Sequence, residues 1–122
     1  MDYSEWRFDG ESPIYIQLYH YLRCSILSGC MKPGELPSVR WLASLLHFNA
    51  NTVARAYNPT SKDGLVEMSR GKAGRVTSNS TLIHAERQRA VKNLCSELLE
   101  TIKSLGFSKE EILVLIEEAT KT

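Results

Sequence analysis

The stretch LPSVRWLASLLHFNANTVARAY, Leu36 to Tyr57, constrains the fold more than any other part of this chain. It holds two short helical patterns separated by a tight break. Ser38 is placed to cap the first, with Trp41 at the third position, and Val39, Leu42, Ala43, Leu45 and Leu46 form its apolar face. His47 and Phe48 carry the break. Asn49 is placed to cap the second helix, whose Val53, Ala56 and Tyr57 recur at the spacing of a buried face. The tip of that helix is different in kind: Asn49, Asn51 and Thr52 are short and polar, poorly suited to burial. An apolar short helix followed at once by a polar-tipped one predicts a helix-turn-helix.

The flanks extend this unit. Ser12 and Pro13 have the pattern of an N-cap and first helical residue. Behind them Ile14, Leu18, Leu22 and Ile26, widened by Tyr15, Tyr21 and Leu27, predict an amphipathic helix of about four turns. Gly29 and the Pro33-Gly34 turn signal end it. Beyond Tyr57, Leu65, Val66 and Met68 predict a short strand and RVTS a second, with the basic stretch Arg70 to Gly74 as the hairpin tip. Three helices and a two-stranded ribbon define a winged helix-turn-helix over residues 1–78. The fold class is therefore mainly α with a small β-ribbon. Trp6 and Phe8 precede the first helix, either packing on this domain or reaching a second copy.

From Asn79 onward the pattern is purely helical. Val91, Leu94, Cys95, Leu98, Leu99, Ile102 and Leu105 step by three and four until Gly106. Ser108 and Glu111 have the spacing of a capping box, and Ile112, Leu115, Ile116 and Ala119 share one face of the helix that follows. Residues 79–122 are thus expected to form an antiparallel two-helix tail. Two helices alone bury little, so their apolar faces need the winged domain or the same tail of a second copy. The residues expected to dimerise are Val91, Leu94, Leu98, Ile102, Ile112, Leu115 and Ile116. Cys95, on the same stripe, is expected to be a small buried hydrophobe.

Composition narrows the function. No apolar run approaches the roughly 20 residues that cross a bilayer, and the opening MDYSEWRFDG is polar, acidic and aromatic, unlike a secretory leader. A cytoplasmic protein without a membrane partner is the expectation. Three cysteines with no C-x-x-C pair suggest neither zinc nor a disulfide framework. His20, His47 and His84 lack ligand spacing. The pairs Glu97/Glu100 and Glu110/Glu111 fall on solvated helix faces, and no base–nucleophile set accompanies them. No enzyme, metal or cofactor is expected. The net charge is only +1, but from Arg40 to Arg75 six basic residues face two acidic ones. A locally basic segment in a near-neutral chain fits a polyanion partner.

A helix-turn-helix sets the N-terminal end of its second helix in the major groove of DNA. Asn49, Asn51 and Thr52 are short enough to reach phosphates and base edges there, and Ala50 to touch a thymine methyl. Asn51 is able to pair bidentately with adenine and Arg55 with guanine. Arg40 would contact the backbone, and Arg70, Gly71 and Lys72 of the wing would lie along a groove. The bland readings stand beside these: Ser38 and Asn49 as simple caps, Arg55 as a surface arginine, Gly71 and Gly74 as turn formers.

The run from Pro13 to about Thr77, with PIYIQLYHYLRCSIL, KPGELPSVR and NANTVARAY, resembles the DNA-binding domain of the GntR family of bacterial transcription regulators. NANTVARAY with a short helical tail behind it resembles the YtrA subfamily. The resemblance implies a homodimeric repressor on a two-fold symmetric operator, dimerised through the C-terminal helices. It also implies DNA contacts by Arg40, by Asn49 to Thr52 and by Gly71. Many family members carry an arginine where this chain has Ala54; the YtrA-like form carries Arg55. The tail is shorter than the ligand domains of other branches, and no effector is specified. Two departures stand out: KPGELPS is tightened by one residue, and NPTSKDG replaces a helical continuation with a leucine near Thr60. Pro59 costs about 3 kcal/mol in a helix interior and disfavours helical angles at Asn58. The recognition helix is therefore expected to end or kink near Asn58, in a domain less stable than its relatives. A break there would also suit the alternative function, a winged-helix interaction or assembly module without sequence-specific DNA binding.

Overall fold

The computed structural model describes residues 1–68 and 74–121. They form two compact units, Met1–Glu86 and Arg87–Thr122. In the first, a 3₁₀ turn at Tyr3–Glu5 precedes α1 (Ile14–Leu27), α2 (Val39–Leu46) and α3 (Ala50–Lys62). Strands β1 (Val66–Glu67) and β2 (Arg75–Val76) follow as an antiparallel ribbon in the register Val66↔Val76 and Glu67↔Arg75. The long α4 (Ser80–Ser104) begins in this unit and continues into the second, where α5 (Lys109–Ala119) completes the chain.

Local chemistry sets most element ends. Ser38 caps α2 by accepting from the Trp41 N–H at 3.1 Å, and Asn49 caps α3 by accepting from the Asn51 N–H at 2.8 Å. Between them His47 adopts the left-handed conformation, φ 61° and ψ 39°, which closes α2 and turns the chain into α3. Helix α1 starts one residue later than the Ser12–Pro13 pattern predicts. Pro13, with extended ψ, takes the cap position, and its carbonyl accepts from Ile16 and Gln17. Ser12 turns its carbonyl to the Gln17 side chain instead.

The core of the first unit is the apolar stripe of α1 (Leu18, Leu22, Ile26, Leu27) against Leu42, Ala43, Val53, Ala56 and Tyr57. Met31, Leu65, Val66 and Val76 close it from the loop and ribbon side. The apolar face of α2 is narrower than its sequence suggests: Leu42 and Ala43 are buried, Val39 and Leu46 half-buried, and Leu45 exposed. Trp6 is buried, stacked on Tyr21, and Phe8 meets Tyr21 and Phe48 edge-on, so the N-terminal arm packs on its own domain. Tyr57 donates its hydroxyl to the Pro37 carbonyl at 2.7 Å, tying α3 to the loop before α2.

Helix α3 does not end at Asn58; it runs through Pro59 to Lys62. The expectation of a break weighed one lost backbone donor against nothing. The structure supplies the opposing terms. Tyr57 before the proline and Leu65 after it are buried, each stabilising the fold by about 1.5–3 kcal/mol. Both depend on the chain continuing in register. Thr60, also buried, donates its hydroxyl to the Tyr57 carbonyl at 2.6 Å, which lets a polar side chain sit in the core. The last turn closes with Asp63 N–H to Pro59 O at 2.9 Å and Leu65 N–H to Thr60 O at 3.1 Å. Tyr19 of α1 then donates to the Asp63 carboxylate at 2.7 Å, and Arg23 lies within 4 Å of both Asp63 and Glu86.

In the second unit Ser108 and Glu111 form the reciprocal capping box expected of them. Hydrogen bonding between the Glu111 carboxylate and Ser108 holds its pKa below the ordinary range. Ile112 is buried within the chain, whereas Val91, Leu94, Leu98, Leu99, Leu105, Leu113, Val114, Leu115 and Ile116 are exposed. Cys95, expected inside, is exposed as well.

Candidate nucleic-acid interface

Burial on one side of α3 dictates exposure on the other. Val53, Ala56, Tyr57 and Thr60 face the core, which leaves Asn49, Ala50, Asn51 and Arg55 exposed and Thr52 half-buried. Because the helix passes Pro59, the exposed edge continues through Asn58 and Lys62, four residues at helical spacing counted from Asn51. The sequence reading stopped this edge at Arg55. Its signal for the rest, a polar residue every three or four positions, was masked by the proline.

The polar groups along this edge are differently committed. Asn49 spends its carbonyl oxygen on the Asn51 N–H, which leaves its NH₂ to donate outward. Asn51 and Asn58 carry both amide functions. Arg55 places its guanidinium carbon 3.9 Å from the centre of the Tyr15 ring. Among the described residues no carboxylate pairs with Arg55, Arg40 or Lys62, whereas Arg23 and Arg75 have acidic partners. Arg40 is exposed in the first turn of α2. The edge thus combines amide donors and acceptors with uncompensated cations, the pattern that suits phosphates and base edges together.

Of the wing residues, Arg70, Gly71 and Lys72 lie outside the described residues. The base of the wing is described. A Cβ at Gly74 would fall on Met68 Sδ and 2.8 Å from Leu36 Cδ2, so the absence of a side chain lets the ribbon close against the loop before α2. Arg75 pairs with Glu67 across the ribbon at 3.6 Å. Among the described residues no group of acidic, histidine or cysteine side chains is arranged to hold a metal. No helix there is long and apolar enough to cross a membrane.

Three helices, a two-stranded wing and an exposed polar edge on the third helix define a winged helix-turn-helix regulator. Residues 14–76 match the family described as bacterial regulatory proteins, gntR family, and the chain belongs to that family. Its likeness extends beyond the winged domain. It is 32% identical to the HTH-type transcriptional repressor YtrA of Bacillus subtilis over 111 residues, 89% of this chain and 85% of that one. A GntR family transcriptional regulator from Listeria monocytogenes has the same fold at a TM-score of 0.83 and 30% identity, over 91% of this chain and 98% of the other. YtrA from Sulfolobus acidocaldarius, a GntR-family transcription factor, matches with a TM-score of 0.54 and 31% identity, over 72% and 96%. The first of these comparisons extends well beyond the winged domain and places the chain among the YtrA-like members. The family is one of transcription regulators, not enzymes.

Proposed function

We propose that this protein is a sequence-specific DNA-binding regulator, a repressor that acts as a homodimer on a two-fold symmetric operator. The observation that carries the reading is the exposed edge of α3, where Asn49, Ala50, Asn51 and Arg55 stand outward on a helix whose other side is the domain core. In the major groove Asn51 and Arg55 would read bases. Arg40, Thr52 and the NH₂ of Asn49 would hold phosphates, and Arg70, Gly71 and Lys72 of the wing would follow the adjacent groove. The unpaired arginines supply attraction for the backbone.

Self-association is supported by the tail. Val91, Leu94, Leu98, Leu115 and Ile116 are exposed in the single chain, Ile102 is half-buried, and Ile112 is buried. A large apolar surface of this kind marks an interaction face. A second copy of the same tail satisfies it with a closed, two-fold contact. Two winged units joined this way would occupy half-sites about 34 Å apart and occlude a promoter. The residues from 79 onward would then be the dimerisation module, and residues 1–78 the reading module.

Selection of bound duplexes from a random pool tests the reading and gives the half-site and its spacing. Binding should also weaken steeply with salt, since each neutralised phosphate releases counterions. Arg40→Ala should weaken all sequences about equally, whereas Asn51→Ala should relax preference at one base pair by roughly 1–3 kcal/mol. An intact dimer with no detectable duplex binding at low salt would replace this reading with that of an interaction module.

A further inference from the structure

Arg55 is held by a residue on another helix. Tyr15, in the first turn of α1, is half-buried, and its ring lies beneath the Arg55 guanidinium at 3.9 Å. We propose that Tyr15 is a positioning residue for base recognition, fixing Arg55 face-down on its ring so that the guanidinium edge is presented to a guanine. The inference rests on the DNA-binding reading above and deepens it.

The geometry follows from the shape of the group. A guanidinium is planar, and its five N–H donors lie in that plane. Stacking on an aromatic face uses the face and leaves the edge free, which is the part that pairs bidentately with guanine O6 and N7. Among the described residues no carboxylate competes for that edge. An exposed arginine carries considerable rotamer freedom, which is lost when it docks in a groove. The Tyr15 ring removes part of that freedom before DNA arrives. On this reading Arg55 is set in advance of binding. Since α1 also contributes Leu18, Leu22 and Ile26 to the core, the platform is anchored on a packed helix of the domain.

The test uses the full chain and the operator obtained by selection. Base preference is measured at every position of the half-site for wild type, Tyr15→Phe, Tyr15→Leu, Tyr15→Met and Arg55→Ala, together with the salt slope on random duplex. Tyr15→Leu should reduce discrimination about fivefold at the one base pair that Arg55→Ala also relaxes, with other positions and the salt slope unchanged. Tyr15→Phe keeps the ring and should keep the preference. In the Arg55→Ala background Tyr15→Leu should have no further effect on that base pair. Tyr15→Met fills the space without an aromatic face and should behave as leucine does, even if leucine proves poorly folded. Two results overturn the proposal while leaving DNA recognition intact: unchanged preference in both aliphatic variants, or an equal loss at every position. A wild-type protein without any sequence preference overturns the recognition reading itself.

Discussion

At the scale of single residues, hydroxyls do more in this domain than its composition suggests. Tyr57 donates to the Pro37 carbonyl, Thr60 to the Tyr57 carbonyl, and Tyr19 to the Asp63 carboxylate. Burial, and then the bond to Asp63, pushes the Tyr19 phenol up to about 12 from its ordinary value near 10. Burial pushes Tyr57 up as well. A phenol that keeps its proton longer in the folded state stabilises that state fully below pH 10, where the unfolded chain is also protonated. That contribution is lost as pH rises through the folded value. Unfolding by denaturant should therefore show a stability that falls between about pH 10 and 12. Tyr19→Phe should flatten that fall in part, with Tyr57 and Tyr3, whose phenols burial also pushes up, contributing to the remainder. An identical alkaline decline in wild type and Tyr19→Phe would show that the Tyr19–Asp63 bond contributes nothing to it. Tyr19 and Asp63 are 44 residues apart in sequence, and no local pattern announces their bond.

At the scale of elements, what was legible and what was not divides along one line. The caps at Ser38, Asn49 and Ser108 were legible because each is settled within three residues of chain. The ribbon was legible because turn residues separate two short apolar runs. Helix α3 beyond Asn58 was not, because its continuation is decided by Tyr57, Leu65 and Asp63 meeting parts of the domain remote in sequence. The exposure of Leu45 and Cys95 was not, because periodicity gives a face and not what covers it. The contact of Tyr15 with Arg55 joins two helices and has no signature within either. The proline still removes a donor that the Arg55 carbonyl would otherwise have, so its cost is present although the helix survives it. Pro59→Ala should raise stability by about 1–3 kcal/mol, seen as a higher denaturant midpoint with unchanged slope. It should leave the selected half-site unaltered. A destabilised Pro59→Ala would mean that the ring's packing or the restriction it places on the unfolded chain outweighs the missing hydrogen bond.

At the scale of the whole molecule, the two units have opposite surfaces. The first encloses most of its apolar residues, with Trp41, Leu45 and Met68 left exposed, and shows amides and cations along α3. The second shows many apolar residues and, among its described residues, buries Ile112 alone. In the proposed dimer, a charge placed on that surface would be buried without a partner. Leu94→Glu and Leu98→Glu should each weaken self-association by about 100-fold or more. Sedimentation would detect a monomer whose first unit still melts as wild type does. Binding to a full operator should fall far more than binding to a single half-site, because the loss is of linkage rather than of contact. Variants that stay dimeric would move the interface away from these residues.

The bond from Tyr57 to Pro37 has a consequence for how such a protein diversifies. It links α3 to the loop that leads into α2, where Arg40 sits, so in the proposed complex the side chains that would read bases and grip phosphates would form one caliper of fixed opening. Accommodating a new target by flexing that caliper would mean leaving a buried hydroxyl and a carbonyl unanswered. On the proposed reading, sequence change on the exposed edge would alter which bases are preferred without touching the hinge. In the proposed dimer, any tolerance for longer or shorter gaps between half-sites would therefore have to be found in the helices that join the two copies.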